Sequence, residues 1–319
     1  MKRILITGGN GYIGARLSYE LSNLGHQVSL LCYPNIPDDQ NWLDVMDSVF
    51  VGDITESEVV NSLTDSNYDL LIHLVSLDQY QSDANPVLVN NVNVLPLWNL
   101  LHSFNTKGNL SRCIYMSTVQ VYGQILGRLV TEETPILPVN SYALTHKLCE
   151  DICNYFNQIS PIECISLRLS NSYGQPVLKN TSCWGLVVND LCRQAYINNK
   201  IVVLSDGTPE RDFIHFSDIV KAFKLLIDSN ELPYKTFNLC SGKTYTIFEL
   251  ARIISEGYNL KYNKDIRVHI NSQAKKVSTD TVVHQKTVWS NQRLMDLGYI
   301  SSMSLFNGIV SLFDYFDSV

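Results

Sequence analysis

Thr7-Gly8-Gly9-Asn10-Gly11-Tyr12-Ile13-Gly14 is the stretch that decides how this chain is read. It follows Lys2–Thr7 (KRILIT), an apolar run of strand type, and leads into Tyr12–Leu24. There Ile13, Leu17, Leu21 and Leu24 recur at the three-to-four spacing of one helical face. Glycines at 8, 11 and 14 leave room for a tight turn, for close approach of a pyrophosphate, and for contact between helix and strand. A helix that starts at such a turn offers unpaired N–H donors and a partial positive charge to an anion. A purely structural turn would need the glycines but not this place between strand and amphipathic helix. The reading is a dinucleotide-binding turn, with Gly8, Asn10, Gly11, Tyr12, Ile13 and Gly14 at the cofactor.

Outward from that turn the same rhythm repeats. Gly25 closes the first helix as a C′ glycine does. Val28–Cys32, Val49–Val51, Asp69–Leu74, Arg112–Met116 and Glu163–Leu169 read as strands, and Pro86–Phe104 and Ser141–Ile159 as long helices. Repeated β-α-β order with continuously apolar strands implies a parallel sheet covered on both faces. The expected fold class is α/β, a Rossmann doubly wound parallel sheet with a smaller mixed α/β substrate-binding lobe. After about residue 172 turns become frequent. Strands such as Ile201–Leu204 and Thr236–Leu239 alternate there with short helices near 217–228, 246–256 and 304–316. The expected division is a dinucleotide-binding domain over 1–172 and a substrate lobe mainly over 173–319, with some segments returning to the first domain.

Composition narrows the class. A chain of 319 residues with 45% apolar and 17% charged residues can bury a large core and is too apolar for disorder. Twenty-four basic against 31 acidic residues leave a formal charge of −7, which argues against a nucleic acid as partner. No apolar run approaches the ~18 residues of a membrane span. The opening MKRILITGG reaches glycine too soon for a signal peptide. Eight cysteines without a CxxC pair are expected as reduced thiols in the cytoplasm. His146, Cys149 and Cys153 share one helical face, but nothing nearby supplies a fourth ligand, so no metal is expected.

The choice of dinucleotide is less sharply written. An acid at the end of strand two would bond the adenosine ribose and favour NAD. Leu31-Cys32-Tyr33 holds that place, and the next acid is Asp38. A clamp for the 2′-phosphate of NADP is also poorly supplied, since Lys107 is the only cation between Arg16 and Arg112. Arg16 is a candidate to reach across. NAD and NADP both stay open, with a lean to NAD. Gly52-Asp53-Ile54, after strand three, suits an adenine edge, with Asp53 accepting from the exocyclic amine.

Several further motifs stand in a set order: Ile72-His73-Leu74, Asn93–Leu101 (NVLPLWNLL), Met116–Gly123 (MSTVQVYG), Glu132–Pro138, Ser141–Glu150, Leu167–Gly174 (LRLSNSYG), Asp206–His215 (DGTPERDFIH) and Arg293–Tyr299 (RLMDLGY). Together they make the chain similar, almost end to end, to the extended short-chain dehydrogenase/reductase family, in particular its sugar-nucleotide epimerases, dehydratases and reductases. The resemblance implies that Cys32, Asp53, Ile54, Leu74 and Asn93 stand around the cofactor. It also implies a Tyr acid/base, Tyr142, assisted by Thr118 and by a Lys four residues after the Tyr. A phenol suits the task because it can take or give a proton as hydride leaves or reaches a carbinol carbon.

Here the chain departs from that pattern. The fourth residue after Tyr142 is His146, and Lys147 follows it; Glu150 keeps the family's distance, so this is a substitution and not an insertion. On a regular helix His146 shares the face of Tyr142, whereas Lys147 is turned by about 100° more. Three readings follow. A neutral His146 does a weakened version of the Lys task and bonds the nicotinamide ribose; a local distortion brings Lys147 in; or the site has lost much of its turnover. Thr118 is followed by Val119-Gln120, neither of which can transfer a proton, and this argues against a 4,6-dehydratase. The expected function is NAD(P)-dependent hydride transfer at a sugar carbon, C4 foremost, of a nucleotide sugar, as a 4-epimerase or a 4-keto-sugar reductase. The alternative is a dinucleotide sensor or near-inactive member of the family. The resemblance places Arg211 on the substrate diphosphate and Asn171 on its phosphate or sugar, with Arg168 supporting the loop. It also suggests a homodimer formed through the helices at 86–104 and 141–159.

Overall fold

The protein is described from a computed structural model covering residues 1–125, 127–270 and 286–319. Seven strands form its main sheet: Arg3–Thr7, Gln27–Cys32, Ser48–Val51, Tyr68–His73, Leu110–Thr118, Glu163–Leu169 and Thr236–Leu239. Counted along the chain, their spatial order is 3-2-1-4-5-6-7, and every neighbouring pair is parallel. Such strands cannot be joined by hairpins, so helices cross over and cover both faces. This is why Ile4, Leu5 and Ile6 are all fully buried although successive side chains point to opposite faces. The Rossmann α/β class expected from the sequence is the class observed.

The order reverses at the first strand. Thr7 lies in register with Leu31 on one side and with His73 on the other. Crossovers leave in opposite directions from that point, which opens a crevice at the carboxyl ends of the strands. Helix Tyr12–Asn23 starts at its rim. Gly11 is the N-cap and has no side chain to cap it, so the first N–H groups face the crevice unpaired. Gly8 has φ +76°, which strains any residue with a side chain, and a Cβ on Gly14 would stand 2.1 Å from the Gly8 carbonyl oxygen, where no larger residue fits.

Two long segments line the other side of the crevice. The reading of one helix over 86–104 meets an interruption: Pro86–Val89 and Leu95–Lys107 are α-helical, and Asn90–Val94 between them is a π turn. Pro96 has no N–H to give the preceding turn, and the widened turn absorbs the missing bond. Its effect is to bury Asn93. Helix Ser141–Ile159 starts where expected, because the Asn140 side chain accepts from the Ala143 N–H at 2.7 Å.

The later half of the chain is divided between two places. Strand Thr236–Leu239 pairs with Glu163–Leu169 as the outer strand of the main sheet, and helix Phe216–Asp228 packs into the core beneath that sheet. Phe237, Leu239, Phe223 and Leu226 are fully buried there and have no comparable cover elsewhere. Most of the remaining segments build a separate core, while Leu178, Leu294 and Tyr299 pack into the core of the main sheet. Helices Val187–Asn198, Ile247–Tyr262 and Leu305–Ser318 pack on two small sheets. One sheet joins Asn171–Tyr173, Glu210–His215 and Thr244–Thr246, and the other joins Lys200–Val203 and Arg267–Ile270. Helix Val187–Asn198 was not among the elements read from the sequence, because Asn189, Asp190, Arg193 and Gln194 dilute its apolar stripe.

Candidate active site

Strand Leu110–Thr118 runs two residues beyond the expected Met116, and its last residue is Thr118 at the carboxyl edge. Helix Ser141–Ile159 presents Tyr142 and His146 from its first two turns to the same place. The Thr118 hydroxyl acts on the Tyr142 phenol as a hydrogen-bond partner that favours its anion. It does not prevail. Burial, followed by the negative charge of Asp78, pushes the phenol up to about 12. At pH 7 ionising Tyr142 therefore costs about 7 kcal/mol, at about 1.4 kcal/mol per pH unit.

The His146 ring meets the Tyr142 ring edge-on, with centroids 4.4 Å apart. Its Nδ1 lies 2.6 Å from the Tyr115 hydroxyl, and its Nε2 lies 3.3 Å from Ser76 Oγ. Burial, reinforced by His73, holds the imidazole down at about 3, so it is neutral at pH 7. Lys147 stands on the outer side of the helix, in an ion pair with Asp151 one turn on. The helix is regular over this span, and no distortion brings that ammonium to the phenol. The charge that would acidify Tyr142 is thus supplied by neither residue.

Beneath Thr118 lies a buried ion pair. Arg168 donates to both carboxylate oxygens of Glu150, at 2.9 and 2.7 Å, and Ser117 Oγ donates to the same carboxylate at 2.6 Å. The free arm of Arg168 donates to the Tyr122 hydroxyl at 2.8 Å, which donates in turn to Asn238 at 2.6 Å. This network ties the ends of three strands and the 141–159 helix, so Arg168 supports the edge from below.

The residues read as cofactor ligands fall into two groups. Gly8, Gly11, Gly14 and Ile13 form the turn and the start of its helix, and Leu74 continues strand Tyr68–His73 past the edge. Asp53 is held in a turn by the Thr55 N–H and hydroxyl, at 2.9 and 2.7 Å, beside buried Ile54. The other side chains are occupied within the protein. The Asn10 amide donates to the carbonyls of Tyr33 and Asn35 and braces the loop after strand two. Tyr12 donates to the Gly174 carbonyl and packs its ring on Phe216, closing the first helix onto the 170s loop. Asn93 accepts from Leu77 N–H at 2.8 Å and donates to Thr145 at 3.2 Å, which fixes the loop after strand four. Cys32 is buried, and its thiol is pushed up to about 11 by burial. An uncapped helix start on a turn with Gly8 at positive φ and a Gly14 that admits no Cβ fits a dinucleotide pyrophosphate.

Asn171 and Arg211 lie on the same small three-stranded sheet, Asn171 in register with Phe213 and Arg211 with Tyr245. The Asn171 amide donates to the Asp212 carbonyl at 2.9 Å. Arg211 is exposed, with one guanidinium N–H on the Glu210 carbonyl. As for the shared face of His146, Cys149 and Cys153, the Cys149 thiol donates to the Asn93 carbonyl and His146 is engaged as above. Among the described residues no group of three metal-ligating side chains is assembled. The sequence reading missed Tyr115, Ser76 and Asp78. Of these only Tyr115 left a signal, as the phenol within the apolar strand RCIYM.

Comparison with known proteins gives the family of the chain. A family model described as the NAD dependent epimerase/dehydratase family matches residues 4–240. A putative UDP-glucose 4-epimerase of Methanocaldococcus jannaschii is 26% identical over 255 residues, which are 79% of this chain and 81% of that protein. UDP-glucuronic acid decarboxylase 1 of Xenopus tropicalis is 27% identical over 276 residues, 80% of this chain but 60% of that longer protein. Among solved structures, the UDP-glucose 4-epimerase of Thermus thermophilus in complex with NAD shares the fold, with a TM-score of 0.79, 23% identity and 99% of each chain covered. This chain belongs to the NAD dependent epimerase/dehydratase family and is an enzyme of that kind.

Proposed function

We propose that the protein carries out NAD-dependent hydride transfer at C4 of a UDP-linked sugar, as a 4-epimerase. The observation that carries this reading is the placement of Thr118, the last residue of its strand, and of Tyr142, in the first turn of the 141–159 helix, at the carboxyl edge with the uncapped helix start at Gly11. Tyr142 takes the proton of the C4 hydroxyl as the C4–H bond breaks and returns it when that bond is remade on the other face. Thr118 holds the sugar hydroxyl and the phenol in one hydrogen-bonded line. NAD, when bound, supplies the hydride acceptor and a positively charged ring near the phenol. His146 gives the nicotinamide ribose a hydrogen bond without a charge, and Arg211 meets the substrate diphosphate with its forked donors. Val119-Gln120 supply no proton for elimination, which removes the dehydratase outcome.

NAD is favoured over NADP. Arg16, the candidate to reach a 2′-phosphate, donates to the Gln175 carbonyl at 3.0 Å and pairs with Glu20 at 3.1 Å, and Lys107 pairs with Asp65. A dianion beside Cys32 and Tyr33 meets neither cation. Eight free, buried cysteines suit the reducing cytoplasm. No helix among the described residues is long and apolar enough to cross a membrane. A second copy of the chain is the proposed partner. Trp98 and Tyr155 stack at 5.3 Å, about two-fifths exposed, and Leu95, Leu144, Leu148 and Ile159 extend this apolar strip over both long helices. A monomeric mass by light scattering refutes the dimer.

The experiment is mass-spectrometric identification of the co-purified dinucleotide, followed by turnover of a UDP-sugar panel by the native protein and by Tyr142→Phe. Loss of turnover with an unchanged melting temperature is expected. Turnover equal to that of the native protein refutes the assignment. One observation favours a second reading, an enzyme of very low turnover that serves mainly to bind the dinucleotide: among the described residues no ammonium reaches the phenol. On that reading the dinucleotide co-purifies and no sugar of the panel is converted at neutral pH.

A further inference from the structure

A segment that crosses the start of the helix carrying Tyr142 brings a carboxylate with it. Strand Tyr68–His73 is followed by residues 74–78 and by the short helix Gln79–Ala84. Three contacts fasten this segment to helix Ser141–Ile159. Ser76 Oγ lies 3.3 Å from His146 Nε2. Asn93 accepts from the Leu77 N–H at 2.8 Å and donates to Thr145 at 3.2 Å. Asp83 accepts from the Ser141 N–H at 3.0 Å. Asp78 stands between these anchors, and Tyr142 stands between their partners on the helix. The Asp78 carboxylate is also fixed locally. Its Oδ1 accepts from the Gln81 N–H at 2.9 Å, and the Gln81 side chain accepts in turn from the Asp78 N–H at 3.2 Å, a capping box. Asp78 is exposed, and its negative charge opposes ionisation of the Tyr142 phenol. Among the described residues no cation offsets it there: Lys147 pairs with Asp151, Arg168 with Glu150 beneath Thr118, and His146 is neutral.

We propose that Asp78 is a specificity-determining residue that bars a carboxylate from the reacting end of the sugar, so that the substrate class is a nucleotide-linked hexose uncharged at C6 and not a hexuronic acid. The inference rests on the function proposed above, because that reading sets C4 of the sugar at Tyr142. In a hexuronic acid the carboxylate is attached to C5, the ring neighbour of C4, and the sugar would carry it into the field of Asp78. At an effective dielectric constant of about 30–40, two like charges about 8 Å apart lower an affinity about five- to tenfold. A hydroxymethyl group at C5 meets no such penalty. Asp83 gives the same segment a second acid, so the charge along this rim has one sign. Placing a like charge against the unwanted ligand is a way to discriminate without adding any contact to the wanted one.

The test is isothermal titration calorimetry of the protein saturated with NAD, using UDP-glucose and UDP-glucuronic acid, on the native chain and on Asp78→Asn. The diphosphate is common to both ligands, so the comparison isolates the group at C6. Asparagine caps a helix as well as aspartate does, so the variant loses the charge and keeps the cap. Expected is a native preference for UDP-glucose of about five- to tenfold, falling to about twofold in Asp78→Asn. Raising the salt from about 0.05 M to about 1 M should narrow the native preference, an effect that a merely structural role of Asp78 would not produce and that needs no variant to fold. Equal native affinities overturn the proposal, as does a preference that either salt or Asp78→Asn leaves unchanged. The epimerase reading fails separately. A preference that is lost in the variant, with neither sugar converted, sinks that reading and leaves Asp78 its role; conversion of UDP-glucose without a preference does the reverse. Binding of neither sugar overturns both.

Discussion

His146→Lys puts an ammonium where the neutral imidazole now stands, and the consequence can be worked out. The ring centroids of His146 and Tyr142 are 4.4 Å apart, close enough for a charge at position 146 to act on the phenol, and a charge-to-oxygen separation of about 5 Å is taken for the arithmetic. At an effective dielectric constant of about 20, two unit charges at that distance attract by about 3 kcal/mol. At about 1.4 kcal/mol per pH unit this lowers the phenol by up to about two units, from about 12 toward about 10. Oxidation at C4 needs the phenolate as base, so its rate rises with pH until the phenol is ionised. The whole limb should therefore move to lower pH, with the rate at pH 8 rising by up to about 100-fold. Single-turnover reduction of bound NAD, followed by its ultraviolet absorbance across a pH series, measures the limb. Titration of tyrosinate absorbance in His146→Lys, with and without Tyr142→Phe, reads the phenol itself and does not depend on turnover. A phenol that still titrates where it does in the native protein refutes the electrostatic argument and the proximity on which it stands.

Removing one partner of the buried pair under Thr118 should be costly. Glu150→Gln leaves the Arg168 guanidinium in the core without a counter-charge, and a loss of about 3–5 kcal/mol is expected. Thermal unfolding checks it, and an unmoved midpoint means that the pair contributes little. Stability should also fall steeply toward acid. His73, His146 and His215 are held by burial at about 4, 3 and 4, below the ~6.5 of an unfolded chain. Between those values the unfolded state binds more protons. Each histidine then removes up to about 1.4 kcal/mol per pH unit as pH drops from about 6.5 toward 4. Urea midpoints that are equal at pH 7 and pH 5 refute this account.

Much of the architecture was legible along the chain. The glycine turn, the apolar strands and the two long helices are local features, set by backbone sterics and by periodicities that neighbouring residues carry. Strand Glu163–Leu169 and helix Ser141–Ile159 have the bounds expected of them, whereas Thr118 and Tyr142 were singled out by the resemblance to a family and not by type or spacing alone. Other features depend on residues far apart in sequence. That Thr236–Leu239 pairs with Glu163–Leu169, or that Tyr12 closes onto Gly174, is decided by packing between segments that carry no local sign of one another. The identity of residue 146 was plain in the sequence, but its protonation was not. Burial, reinforced by His73, keeps that ring neutral, and only the folded chain brings these surroundings together. Lys147 shows the same division: one position along the helix separates it from His146, and the 100° turn that this entails gives it to Asp151 at the surface instead of to the phenol.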